Sequence, residues 1–440
     1  MKVCFLTGEY PPMQGGVADH TAHLARHLVG LGVDVSVLTS TEAGSDLHVY
    51  PIISGWGLGC WRQIGHWLNE HCPDVLHIQY QAAAYDLRGW VNWLPWWLRR
   101  RQARPRVVVT FHDLRVPYLF PKAGPLRWRS ILALARYSDA VIVTNVEDER
   151  SLRKVLRGAE SGTQGLRESG NRDSGNQDSG HHFLISRFPD FPISRFPVSL
   201  SPRFPDSLSP DSPTPAILTL IPLGSNVHSQ PPLDYDRDGW RAQMGIGERT
   251  LLLAYFGFLN ESKGGEDLVR ALEGLVRQGH DAHLLMIGGH VGDVDPTNRA
   301  YAERVRLLVQ TCGLVGRVHW TGYTSLEEVS ANMLAADMVV MPYRDGVSFR
   351  RTTFIAALCH GRPVVTTYPV VPLIELQDGE NVLLFPPHDV DSLAGAIARL
   401  AGDAELRARL SAGAAALGDR FDWAVIGQQT LDLYRRLDLE

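Results

Sequence analysis

Three loops in this chain carry residue types suited to holding an anion. In residues 341–367, MPYRDGVSFRRTTFIAALCHGRPVVTT, a loop with Asp345 and Gly346 joins an apolar run (Met338, Val339, Val340) to a helical pattern containing Ile355, Ala356, Ala357 and Leu358. Strand, glycine-bearing loop and helix start together make a seat for phosphate. Backbone N–H groups there lack intrahelical partners, and the helix dipole is positive at that end. Arg350 and Arg351 stand at the expected helix start, where a cation opposes the dipole by about 0.3–1 kcal/mol, so an anion is expected nearby. The second loop is residues 8–16, GEYPPMQGG, in which Pro11 and Pro12 stiffen the chain and Gly15-Gly16 allow close backbone approach before a helix. The third runs from Phe256-Gly257-Phe258 to Lys263-Gly264-Gly265. Lys263, just ahead of a helix, suits a diphosphate as a point charge. His112 and Asp113 follow the apolar run RVVVTF, at its C-terminal, ligand-facing end. A solvated lysine or a loop-packing histidine is the plainer reading of each alone; recurrence at several strand ends favours a ligand. Neither the G-x-G-x-x-G spacing of a dinucleotide site nor a Walker A sequence is present.

The elements that position these loops alternate strand and helix. Expected strands are residues 2–7, 33–39, 75–79, 107–111, 140–144 and 216–222 in the first domain and 251–256, 283–287, 318–321, 338–341 and 364–367 in the second, with helices between most of them. Such alternation predicts parallel sheets covered by helices on both faces, an α/β architecture of two doubly wound Rossmann-like domains. Residues 1–157 with 216–225 form the expected first domain, 226–420 the second, and 421–440 a closing helix. Residues 158–215 differ in kind: RDSG, QDSG and SRFP units recur, and Ser, Gly, Asp and Pro at that density predict a disordered insertion.

At 440 residues and 44% hydrophobic content, the chain has enough apolar material for two cores. A net charge of −5 argues against a nucleic-acid partner. The five scattered cysteines lack zinc-ligand spacing and read as buried thiols in a reducing compartment. Residues 1–6 run straight into a glycine loop and read as a strand, not a signal peptide. The expected location is therefore cytoplasmic. Residues 88–106, RGWVNWLPWWLRRRQARPR, allow either peripheral contact with the inner membrane face or an aromatic core helix ended by arginines.

GEYPPMQGG, the HD after a central strand, FGFLNESKGGEDLVRAL, HLLMIGG, RVHWTGYTSLEEV, AADMVVMPYRDG, ALCHGRPVVTT and ELQDGENVLLFPPHD occur in an order and spacing that resemble family 4 (group 1) glycosyltransferases of the GT-B fold. The resemblance covers nearly all the chain outside the insertion. It implies two domains facing a cleft, and retaining transfer of a sugar from a nucleotide-sugar donor to a glycan, lipid-linked or small-molecule acceptor, as in cell-envelope glycan biosynthesis. No cofactor or metal is implied, because lysine, arginine and helix dipoles stabilise the leaving diphosphate. It further implies Lys263 on the donor diphosphate and Gly16, Val347 and Ser348 as sources of backbone N–H groups. Gly15, Gly257 and Gly346 belong to the same donor loops. Gly289 and Tyr323 would lie near the base, Glu375 at the donor edge, and His112 nearest the reacting centre. The chain departs from the family where two glutamates eight positions apart are usual: Ser348 and Ala356 stand there. Phe258 replaces a frequent arginine, and Arg350 and Arg351 are expected to supply the missing charge. Those losses keep a catalytically silent nucleotide-sugar-binding homologue open as an alternative, and less readily an epimerase of the same fold.

Overall fold

The computed structural model describes residues 1–13, 15–114, 124–158, 215, 217–288 and 296–438. The insertion expected at 158–215 falls almost wholly outside these residues, as does Gly289. Strands β1 (Lys2–Thr7), β2 (Asp34–Ser40), β3 (Val49–Ile53), β4 (Val75–Tyr80), β5 (Arg106–Phe111), β6 (Ala140–Val143) and β7 (Ile217–Leu220) form one parallel sheet in the order β3-β2-β1-β4-β5-β6-β7. Strands β8 (Leu251–Phe256), β9 (Ala282–Ile287), β10 (Val318–Gly322), β11 (Met338–Met341), β12 (Val364–Thr367) and β13 (Leu383–Phe385) form a second, β10-β9-β8-β11-β12-β13, also parallel. Two doubly wound α/β domains of the GT-B type result.

Both faces of each sheet are covered, so inward strands read as nearly continuous apolar runs. On β4, Leu76, Ile78 and Tyr80 enter one apolar cluster while Val75 enters another on the opposite face. The period of two puts His77 and Gln79 on the same face as Val75. That face is closed by the helices Gly16–Gly30 and Trp423–Asp438: Trp423, Ile426, Leu431 and Tyr434 share a cluster with Val3, Phe5 and Leu24. Tyr434 Oη and His77 Nδ1 share a 2.5 Å hydrogen bond, and His77 Nε2 bonds Thr110 Oγ1 at 2.7 Å. The end of the chain is thereby tied to the first sheet.

β3 and one helix start are among the departures from sequence expectation. β3, VYPII, was not foreseen because Pro51 interrupts its β pattern; among the described residues it pairs only with β2, and proline is tolerated on such an edge. The helix expected to start at Val347 and Ser348 begins instead at Thr352. Val347 and Phe349, two residues apart, both insert into the apolar core. That spacing belongs to extended chain, not to a 3.6-residue turn.

Candidate active site

In open α/β sheets ligands sit beyond the strand C-termini, where strand order reverses. In the second sheet that point lies between β8 and β11, and the loops following these two strands carry most of the expected donor residues. Gly257 has φ +121, and a Cβ there would lie 3.0 Å from Lys263 Nζ and 3.0 Å from Thr353 Cγ2. The Lys263 ammonium, the Gly257 backbone and the first turn of the Thr352–Cys359 helix therefore converge. Gly264, at φ +68, allows the close approach: a Cβ would fall 2.0 Å from Pro342 O. It is also the N-cap of the Gly265–Arg277 helix, and Asn260 Oδ1 accepts from Lys263 N, which fixes the short turn before it.

Lys263 has no carboxylate within ion-pair distance among the described residues. Burial, with Arg351 nearby, brings its pKa down to about 8. Arg351 caps the Thr352–Cys359 helix without a side-chain cap bond, pairs with Asp345 and lies 4.5 Å over the Tyr343 ring. Tyr343 is buried and shares a 3.2 Å hydrogen bond with Thr353 Oγ1. The result is the Lys263 ammonium, a guanidinium shared with Asp345 and an open helix N-terminus at one switch point, an arrangement suited to a diphosphate.

The first sheet reverses order between β1 and β4. After β1, Thr7 Oγ1 donates to Glu9 O at 2.8 Å, and the chain reaches Gly15, N-cap of the Gly16–Gly30 helix, with no side-chain cap. A Cβ on Gly16 would meet nothing within 4 Å, so this helix start is open. After β5, His112 N donates to Tyr80 O at 3.0 Å, and its Nε2 donates to Gln79 Oε1 at 2.8 Å. The His20 ring sits edge-on at 4.7 Å. Burial lowers the His112 pKa to about 4, so the ring is neutral at pH 7.

The structure thus brings together Gly257, Lys263 and Arg351, with Gly346, Val347 and Ser348 on the loop leading to them. Gly346 is at φ +77, and a Cβ there would lie 2.9 Å from Val370 N. Val347 and Ser348 are buried, and the free N–H groups of the helix belong to the turn beginning at Thr352. Arg350 is engaged elsewhere: its guanidinium pairs with Glu147 at 2.8 Å and with Asp148, both on the first-domain helix Val146–Gly158. The anions that offset the two arginines are thus carboxylates of the chain itself. Tyr323 is 91% exposed at the end of β10. Glu375 pairs with Arg420 at 3.4 Å and lines a groove with Glu380, Asn381 and Arg409, which none of the other candidate residues enters. Ala356, where a family carboxylate is usual, is 1% exposed within the apolar core.

In the 88–106 stretch, Trp96 is buried and Trp90, Trp93 and Trp97 pack against the first core. Arg100 stacks 3.6 Å over Trp96, and Arg104 pairs with Asp139 at 2.7 Å. These contacts match the core-helix reading, with a helix of only Leu94–Leu98. Among the described residues no helix is long and apolar enough to cross a membrane. Sequence reasoning missed Gln79, Thr353 and Tyr343. Only Gln79 had a signal, as a polar residue two positions after His77 in an otherwise apolar strand.

Residues 250–403 match the family described as glycosyl transferases group 1, and residues 15–161 match the glycosyl transferase 4-like domain. The chain belongs to the group 1 glycosyltransferases. Its relatives include D-inositol 3-phosphate glycosyltransferase of Nocardioides sp., 28% identical over 47% of this chain and 46% of the relative. Another is alpha-D-kanosaminyltransferase of Streptomyces kanamyceticus, 29% identical over 47% and 52%. The chain spans about half the length of the curated relatives it matches. The GT-B fold is shared with sucrose-phosphate synthase from Thermosynechococcus elongatus (TM-score 0.67, 21% identity, 100% and 99% covered). It is also shared with Anabaena HepE in complex with UDP (TM-score 0.68, 17% identity, 99% and 100% covered).

Proposed function

We propose that this protein is a retaining, metal-independent glycosyltransferase that moves a sugar from a nucleotide-sugar donor to a glycan, lipid-linked or small-molecule acceptor. The observation that carries the reading is the Lys263 ammonium. It is half-buried, lacks a carboxylate partner among the described residues, and lies against Gly257 and the open start of the Thr352–Cys359 helix. Burying an ammonium without a counter-charge is costly, and a diphosphate supplies that charge. Family membership supports the reaction class, and a fold-level neighbour has been solved with UDP-glucose.

In this reading Lys263, Arg351 and the helix dipole stabilise the diphosphate as the bond from the anomeric carbon to phosphate oxygen breaks. The acceptor oxygen bonds the anomeric carbon from the same face, and its proton passes to the departing phosphate oxygen. Neutral His112 faces the sugar and shapes the reacting centre by hydrogen bonding. The open helix start at Gly16 completes the seat from the first domain.

Incubation with UDP-, GDP- and ADP-sugars, with released nucleotide measured, tests the reading, and the anomeric coupling constant of any product tests retention. Buried Ala356, with Ser348, supports a second reading, binding without turnover. Tight donor binding with no nucleotide release across the panel is the outcome that favours it.

A further inference from the structure

Gln79 is fully buried on β4, on the face closed by the Gly16–Gly30 helix, and β4 turns apolar residues to its other face. A polar amide enclosed there needs a reason, since its Nε2 has no hydrogen-bond partner among the described residues and an apolar side chain would avoid that cost. Its Oε1 does have a partner: His112 Nε2, at 2.8 Å. β4 and β5 pair in parallel with Gln79 opposite Thr110, so the period of two brings Gln79 and His112 together at the sheet edge, one layer beyond His77 and Thr110.

We infer that Gln79 is the positioning residue for His112: by accepting from Nε2–H it fixes the imidazole in one tautomer, leaving Nδ1 as an acceptor for a substrate hydroxyl. This inference rests on the reading of His112 as the substrate-facing residue.

The chemistry of the partner is what matters. A carboxylate at position 79 would stabilise an imidazolium, protonate Nδ1 and remove the acceptor. An amide oxygen orients the ring and adds no charge. The surroundings agree. From the Gly16–Gly30 helix, His20 faces His112 at 4.7 Å, with the Trp423 ring of the closing helix 5.0 Å beyond it. His77 lies in the next layer on β4, and Asp113 follows in the chain. Burial lowers the pKa values of His20, His77 and His112 alike. With Nε2 occupied by Gln79, Nδ1 is the ring atom left without a partner among the described residues.

The test uses full-length protein labelled with nitrogen-15 in histidine, with His112 assigned by loss of its signals in His112→Gln. Long-range proton–nitrogen spectra near neutral pH should show Nε2 protonated and Nδ1 unprotonated, with no titration above about pH 5. Gln79→Glu should convert the ring to imidazolium at neutral pH, moving its midpoint from about 4 to about 7 or above. Gln79→Met, a nearly isosteric apolar change, should leave the two tautomers averaged, and it decides the matter if the glutamate variant does not fold. An Nδ1–H tautomer in the wild type, or a single unchanged tautomer in Gln79→Met, overturns the inference. The pH profile of donor turnover is read separately. If the spectra shift and the profile of Gln79→Glu gains no acidic limb, the positioning stands and the substrate-facing role of His112 falls.

Discussion

Arg350 is the residue whose replacement reads the contact between the two domains most directly. Its side chain keeps 17% exposure, Glu147 keeps 19% and Asp148 only 4%. Removing one partner of a fully buried pair costs about 3–5 kcal/mol. Here the pair is part-exposed, and Asn145 Nδ2 still donates to Asp148 Oδ2 at 2.8 Å, so Arg350→Ala should cost about 2 kcal/mol. Asp148→Asn removes one carboxylate and leaves Arg350 with Glu147, at about 1 kcal/mol. With both changes the desolvated carboxylate is gone, so the double variant should lose less than the sum, with a coupling of about 1 kcal/mol.

The pH dependence has a definite sign. Burial raises the Asp148 pKa above its usual value even with Arg350 beside it, and without the arginine it rises further. An acid raised on folding carries its penalty above the folded pKa and loses it as pH falls through that value toward the unfolded one. The cost of Arg350→Ala should therefore shrink on acidification. Urea unfolding followed by both tryptophan fluorescence and circular dichroism measures it, with coincident transitions as the check on two-state treatment. Donor affinity should stay within about threefold in Arg350→Ala and weaken about tenfold in Arg351→Met, because only Arg351 neighbours Lys263. Additive costs, or a donor affinity that collapses in Arg350→Ala, would refute the assignment.

Lys263→Ala should weaken nucleotide-sugar binding about 10- to 100-fold by calorimetry. Wild-type affinity should fall as pH rises through about 8, where the ammonium loses its proton. Tyr434→Phe leaves a buried His77 nitrogen without its partner and should cost about 1–3 kcal/mol, read as a lower urea midpoint. Replacing residues 159–214 by a short Gly/Ser linker should leave turnover within about twofold, as expected of a segment whose composition cannot build a core. Loss of turnover in a folded deletion variant would assign that segment a working role.

The fold was legible because its strands are short apolar runs separated by helical patterns, and a parallel sheet covered on both faces demands that pattern. β3 escaped because an edge strand buries little and tolerates Pro51. Within the site, Gly257 and Lys263 were readable, since one stands immediately after a strand and the other just ahead of a helix. Arg350 and Arg351 look alike in sequence, yet one faces carboxylates of the other domain and the other faces Tyr343. That difference depends on how two domains dock, which adjacent residues cannot encode locally. The start of the Thr352–Cys359 helix was misread because Val347 and Phe349 are buried by tertiary packing at a spacing that overrides local preference.

The Lys263 switch point is proposed to bind and turn over a nucleotide sugar. Its most direct test is nucleotide release by wild type and by Lys263→Ala, side by side, across the UDP-, GDP- and ADP-sugar panel. Release from at least one donor is expected, falling at least about tenfold in the variant. Release that is equal in the two proteins, or no binding of any donor by the wild type, would contradict it.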